Sequence, residues 1–185
     1  MTMISRLIPV VIFPFLISSC STELSELEKR RLAVDNVTAS FDAGAITLRI
    51  SPDAQLNVWD DISNSCSLLV FQSADKKTLQ DLMSNPIIIK QFFSGMGKAD
   101  GILKVDKYTV MPGQELTLHV DRSEGAKYVS IIAGYYPYPG KQHMLLFDIP
   151  VEITEEGLWN KTLTASLVPL VKDIYLGKES IRSIQ

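Results

Sequence analysis

Apolar and polar positions alternate along much of this chain with a period of two, the spacing of half-buried strands. In residues 45–50, Ile46, Leu48 and Ile50 alternate with Thr47 and Arg49, and Ser51-Pro52-Asp53 ends the pattern. Residues 66–72 are a short apolar run and predict a central strand. Residues 103–110 predict another, and Pro112-Gly113 marks a turn. In residues 115–121, Leu116, Leu118 and Val120 point to one side and Thr117 and His119 to the other. Residues 127–136 are apolar enough for a second central strand. Residues 144–153 read as one further strand, and residues 158–165 are expected to close the sheet. Short strands punctuated by regular turn signals predict a mainly β fold, a β-sandwich.

The period changes between residues 74 and 98. Leu79, Leu82 and Met83 share a helical face within residues 75–83, with Ser73 as the expected cap and Asn85-Pro86 as the stop. Residues 87–93 fit two patterns. Ile88 and Phe92 suit a helix, whereas the triple isoleucine suits a strand; a second short helix is the reading adopted. This helical insertion should pack on one end or face of the sandwich. The domain is expected to span residues 45–166, and residues 167–185 read as a polar tail with scattered Leu, Val and Ile.

One connection stands out. Residues 55–65 are rich in Asn, Asp and Ser, yet hold Leu56, Val58, Trp59 and Ile62. Structureless loops of this length in a compact domain are uncommon and often functional. Leu56 should fold back onto the core. Trp59, beside Asp60 and Asp61, belongs either to the same lid or to an exposed partner anchor, a role in which tryptophan is over-represented.

The N-terminus carries a different signal. Arg6 precedes an apolar run over residues 7–17, interrupted by Pro9 and Pro14, and Ser18-Ser19-Cys20 follows. A basic start, a short apolar core and small residues at a cut site read as a signal peptide over residues 1–19. The run is too short to span a bilayer, which takes about 20 apolar residues. An aliphatic residue, two small residues and a cysteine resemble the lipobox of bacterial lipoproteins. That resemblance implies cleavage before Cys20 and acylation of its sulfur and its new amine. Ser21, rather than an aspartate, follows the cysteine, which implies an outer-membrane lipoprotein facing the periplasm. Two alternatives stay open: an ordinary signal peptide cut elsewhere, and a disulfide between Cys20 and Cys66. Residues 20–44 are expected to form the lipidated start and a polar tether, although Leu24 and Leu27 could share a face of a short helix.

Composition narrows the function classes. The chain has 185 residues and a formal charge of −3; cleavage before Cys20 would leave 166 residues, about one domain's worth. Mild acidity without a clustered basic face argues against nucleic acid. There is no glycine-rich phosphate loop, no nucleophile elbow and no histidine pair at metal spacing, so no enzymatic activity and no cofactor are expected. His119 and His143 fall on different elements and each reads as a satisfied surface histidine; zinc needs three or four converging ligands. Asp60 and Asp61 with Asn57 and Asn64 fit no calcium-loop template.

The order of several short motifs completes the picture. These are Leu56-Asn57, Leu69-Val70-Phe71-Gln72, Leu79, Pro112-Gly113-Gln114, and Tyr128-Val129-Ser130-Ile131-Ile132-Ala133-Gly134-Tyr135. Over residues 45–153 the chain resembles the TssJ (SciN, VasD-like) family of type VI secretion outer-membrane lipoproteins. The resemblance implies a transthyretin-like β-sandwich with added helices and no catalysis. It also implies a partner, the periplasmic C-terminal region of a TssM (IcmF-like) inner-membrane protein, gripped by the loop between the first two strands. Carried onto residues 52–65, it points to Asn57, Trp59, Asp60 and Asp61 as contacts. The chain departs from the family pattern in its extension past Leu167 and in Val58-Trp59-Asp60-Asp61-Ile62, where many members have a polar stretch with Pro or Gly. A competing reading from another class is a small-ligand or glycan site lined by Tyr135, Tyr136 and Tyr138.

Overall fold

The computed structural model describes residues 24–137, 139–157 and 162–184. The predicted signal peptide with Cys20, the ring of Tyr138, and residues 158–161 lie outside the described residues. Two four-stranded sheets enclose the main core. One has the order β10 (Ile181–Ile184), β9 (Leu170–Leu176), β1 (Asp42–Pro52), β4 (Leu116–Arg122); the other has the order β3 (Ile102–Val110), β2 (Cys66–Ser73), β5 (Tyr128–Ala133), β6 (Met144–Asp148). All neighbours are antiparallel except β1 and β9, which run parallel from Ile46 opposite Leu170 to Pro52 opposite Leu176.

Alternation fixes which side chains fill the space between the sheets. Ile46, Leu48 and Ile50 of β1 and Val120 of β4 meet Leu68 and Val70 of β2 and Val129 and Ile131 of β5, all buried. Gln72 joins the two sheets. Fully buried, it donates from Nε2 to the Asp121 carbonyl and accepts from the Ser123 amide, each at 2.8 Å. A buried amide so paired avoids the penalty of an unmatched polar group.

The other face of β2 is covered as well, which is why its sequence is a continuous apolar run. Helices α2 (Lys76–Met83) and α3 (Pro86–Phe93), numbered after an N-terminal α1 (Glu26–Asp35), lay Leu79, Leu82, Ile89 and Phe92 against Leu69, Phe71 and Ile132. Phe71 and Phe92 meet edge to face at 4.9 Å. The expected helical insertion is therefore present, and residues 87–93 are helical. The cap of α2 differs: Asp75 accepts from the Lys77 amide, while Ser73 accepts from Asp75 and donates to the Gly101 carbonyl.

Four further expectations need correction. Residues 26–35 form a helix, not a featureless tether, because Ser25 and Glu28 make a reciprocal capping box. Residues 144–153 are two strands. The β5–β6 ladder ends with the Ile149 amide on the Lys127 carbonyl, since Pro150 offers no N–H to continue it. The chain then leaves the sandwich as β7 (Val151–Glu156). Its hairpin partner β8 (Thr162–Leu167) pairs only with β7, so it closes no sheet. Finally, the supposed tail supplies β9 and β10, and Leu170, Ile174, Leu176 and Ile181 enter the core.

The sandwich has two ends. β1 leaves the α1 end and delivers the chain to residue 53; β5 runs the same way, from beside α1 to Gly134. At about 3.3 Å per residue the eleven-residue β1 separates the ends by on the order of 30 Å.

Candidate functional site

At the end away from α1, residues 53–65 form a braced loop. Asp53 anchors its base: its amide donates to the Leu176 carbonyl, its carbonyl accepts from Leu56 and Gly113, and its carboxylate accepts from the Gln55 amide and the Tyr175 hydroxyl. These donors, the tyrosine foremost, hold the carboxyl below its ordinary value. Gly113 is the third residue of the turn 111–114, at φ +68°, the left-handed position that a Pro-Gly turn reserves for glycine. Leu56 is fully buried, as expected, and plugs the loop into the core.

Asn57 is the hub. Only 7% exposed, it donates from Nδ2 to the Ser65 carbonyl at 2.9 Å and accepts at Oδ1 from the Tyr136 amide at 2.8 Å. Its own carbonyl accepts from Asn64 Nδ2, which also bonds the Ile62 carbonyl. Asn57 therefore ties the loop to residues 134–137, and its side chain is spent on positioning. Beyond it the loop narrows to a tight hairpin. Trp59 and Ile62 exchange both backbone hydrogen bonds, at 2.9 and 3.0 Å. Asp60 and Asp61 span the tip at φ +51° and +60°. Two successive positive φ values are what a two-residue hairpin turn demands, and aspartate tolerates them better than most residues.

The hairpin presents an apolar surface. Trp59 and Tyr136 are each more than half exposed (53% and 55%), and Ile62 is 64% exposed. The Trp59 and Tyr136 rings meet at 4.1 Å, inclined by 56°, so each stiffens the other. Asp60 and Asp61 rim this surface with negative charge. Of the four residues singled out in sequence, Trp59, Asp60 and Asp61 are exposed together, whereas Asn57 lies beneath them. Tyr136 and Ile62 complete the surface; the Trp-Asp-Asp-Ile string, a turn pair between apolar residues, is the signal that carried it.

An open groove of about 510 Å³ adjoins the hairpin, between Trp59, Tyr136, Pro137, Phe93 of α3 and Lys107 of β3. Gly134 forms its floor. A Cβ there would stand 2.8 Å from Phe93 Cε1 and 3.3 Å from the Ser67 carbonyl. The neighbouring Tyr135 is buried, and its hydroxyl is held between the Gly177 and Ser180 carbonyls at 2.9 and 3.0 Å.

His143, expected at the surface, is instead 5% exposed and stacked on Tyr135 at 4.5 Å. Its Nδ1 accepts from the Gly140 amide and its Nε2 donates to the Glu179 carbonyl, both at 2.8 Å. This arrangement fits only the neutral ring, and burial lowers its pKa from the ordinary 6.5. The unfolded chain takes up this proton near 6.5, the folded protein only at lower pH. Stability should therefore fall as pH drops below about 6.5, the unfolded state binding more protons there. Denaturation midpoints between neutral pH and about pH 5 should slope less steeply for His143→Gln; an unchanged slope would place the titration elsewhere. Cys66 is sealed in the core, and burial pushes its thiol up to about 12. Among the described residues no cluster of three His, Cys, Asp or Glu side chains is placed to hold a metal, and no helix is long and apolar enough to cross a membrane.

Comparison with known proteins gives this geometry a context. A family model described as type VI secretion lipoprotein (VasD, EvfM, TssJ) matches residues 45–164. No curated protein matches the sequence. Among solved structures, Serratia marcescens Lip, a membrane-bound component of the type VI secretion system, is similar with a TM-score of 0.56 at 17% identity, over 79% of this chain and 98% of that one. The lipoprotein TssJ1 from Pseudomonas aeruginosa gives 0.54 at 12% identity, over 79% and 95%. A chain in the structure of the TssM C-terminal domain from EAEC gives 0.55 at 13% identity, over 76% and 97%. At these identities the likeness concerns the fold.

Proposed function

The chain belongs to the type VI secretion lipoprotein family, and we propose that it tethers a trans-envelope secretion complex to the outer membrane. Lipid on Cys20 holds one end, with the domain facing the periplasm. The hairpin around Trp59 holds the other by gripping the periplasmic C-terminal region of a TssM/IcmF-like inner-membrane protein. No catalysis enters this role.

The observation that carries the reading is the cluster of Trp59, Ile62 and Tyr136, exposed at the end of the sandwich remote from α1. Exposed aromatic anchors with a charged rim are what a protein interface uses for affinity and selectivity. Asn57, the hairpin hydrogen bonds and the ring pair preorganise the cluster, so binding loses little conformational entropy. Confinement to a membrane raises the local concentration of tether and partner further. A small ligand or glycan in the adjoining groove is the competing reading. The commitment of the Tyr135 hydroxyl to two backbone carbonyls counts against it.

Two measurements test the two ends. Metabolic palmitate should label the wild-type protein and not Cys20→Ser; equal labelling of both contradicts acylation at Cys20. Affinity purification of the membrane-bound protein should recover the TssM/IcmF-like protein, and its absence contradicts the partner assignment.

A further inference from the structure

β7 and β8 form a sheet of two strands, an arrangement that is marginal by itself. Its pairing fixes which backbone groups are spent. The Val168 amide donates to the Pro150 carbonyl, and the register runs from Val151 opposite Leu167 to Glu156 opposite Thr162. In an antiparallel pair, successive residues alternately face the neighbouring strand and face away from it. Thr162, Thr164 and Ser166 therefore bond β7. Leu163, Ala165 and Leu167 turn their N–H and C=O groups to the other side, where no strand lies among the described residues.

That open side faces a groove of about 630 Å³ whose opposite wall is α1. Residues 162–166 line it without a gap; side chains of a strand alternate between faces, so an unbroken run marks the strand's edge. Leu24, Lys29, Leu32 and Ala33 stand across from it, with Leu24 and Leu32 about half exposed. Arg30 pairs with Glu155 of β7 at 2.5 Å, and Lys127 Nζ donates to the Asp35 carbonyl, which holds the helix beside the slot. The edge is also undefended. Proteins blunt free strand edges with charge, proline or bulges. Among the described strands with a free edge, β3, β4, β6, β7 and β10 each carry a charged residue. β8, Thr-Leu-Thr-Ala-Ser-Leu, carries none.

We propose that the edge of β8 is a strand-addition site. The groove between it and α1 takes an extended segment of a partner protein, with apolar side chains at alternate positions and a carboxylate opposite Lys29. Main-chain bonds to Leu163 and Ala165 supply affinity, and the helix wall reads the alternate side chains. Leu24, Leu32 and Ala33 receive the apolar ones. Lys29 is the one charged side chain among the described residues of the lining, so it selects a carboxylate over an ammonium. The segment matches β8 in length, six residues. The site lies at the end of the sandwich opposite the hairpin around Trp59 and stands whether or not that hairpin grips its partner.

Residue-resolved hydrogen exchange on the full chain in detergent tests this. The probes are six-residue peptides of alternating valine and threonine, carrying one aspartate at each position in turn, and the same set with lysine. In the free protein the Leu163 and Ala165 amides should exchange fast and the Thr164 amide, bonded to β7, slowly. At least one aspartate peptide should slow Leu163 and Ala165 by roughly tenfold or more, and its lysine counterpart should bind roughly tenfold more weakly. Ala165→Pro removes an N–H that points away from β7, so the hairpin and the melt should hold while peptide affinity falls roughly tenfold or more. Leu163 and Ala165 amides that no peptide slows overturn the proposal, as does undiminished binding by a folded Ala165→Pro variant. Equal binding of the aspartate and lysine sets removes the carboxylate and overturns the stated partner chemistry. Amides already slow without peptide also overturn it: rates that rise on dilution assign the edge to a second copy of the chain, and rates that do not show it covered within the chain.

Discussion

A chain ending at Val168 is expected not to reach the native fold. The truncation takes away β9, the parallel neighbour of β1 over residues 46–52, and with it β10. It also removes the buried side chains of Leu170, Ile174, Leu176 and Ile181. Each contributes about 1.5–3 kcal/mol by transfer from water, so the loss is comparable to the whole stability of an ordinary domain, about 5–15 kcal/mol. The damage extends to the hairpin end, where the Tyr135 hydroxyl and His143 Nε2 lose their acceptors at Gly177, Ser180 and Glu179. Circular dichroism of the truncated chain should show no cooperative melt. A melt at the full-length temperature would make β9 dispensable and the topology wrong.

Asn57→Ala should be the most damaging single change in the loop, although Asn57 presents almost no surface. It removes the partner of the Ser65 carbonyl and of the Tyr136 amide, two part-buried hydrogen bonds that contribute about 0.5–1.5 kcal/mol each. Alanine also resists the left-handed backbone at φ +48°, by about 1–2 kcal/mol. With local relaxation, a net loss of about 2–4 kcal/mol is expected. For a domain of this size that lowers the melting temperature by about 4–16 °C. Asn57→Gly keeps the backbone but not the hydrogen bonds, and should fall between wild type and Ala. An Asn57→Ala melt indistinguishable from wild type would remove Asn57 from the hub of the site.

How far the sequence discloses this molecule depends on whether one residue carries one signal. Strands β1, β2, β4 and β5 are legible because their inward positions are uniformly apolar. β9 is not, since Lys172 occupies an inward position between Leu170 and Ile174. The structure accommodates it by laying its ammonium over the Phe147 ring at 5.3 Å, a cation–π contact that no hydrophobic periodicity reveals. The break at Pro150 and the Ser25-Glu28 capping box were both readable and mark where local chemistry outranks pattern. At the site, Trp59 was legible as a large apolar side chain among turn residues. The division of labour between Asn57 and Asp60-Asp61 was not. It arises from backbone conformation and from the Tyr136 amide, 79 positions away. His143 likewise reads as a surface histidine until Tyr135 and the Glu179 carbonyl close around it.

The central claim is that the exposed cluster at the hairpin end grips the partner. Its most direct test is the affinity of the TssM/IcmF-like periplasmic C-terminal region for wild-type domain and for the Trp59→Ala, Tyr136→Ala double variant. Both side chains are half-exposed, so the melting temperature should hold. Loss of two interface anchors should cost about 2 kcal/mol or more, a fall in affinity of roughly thirtyfold or greater. Undiminished affinity from a folded double variant would contradict the claim.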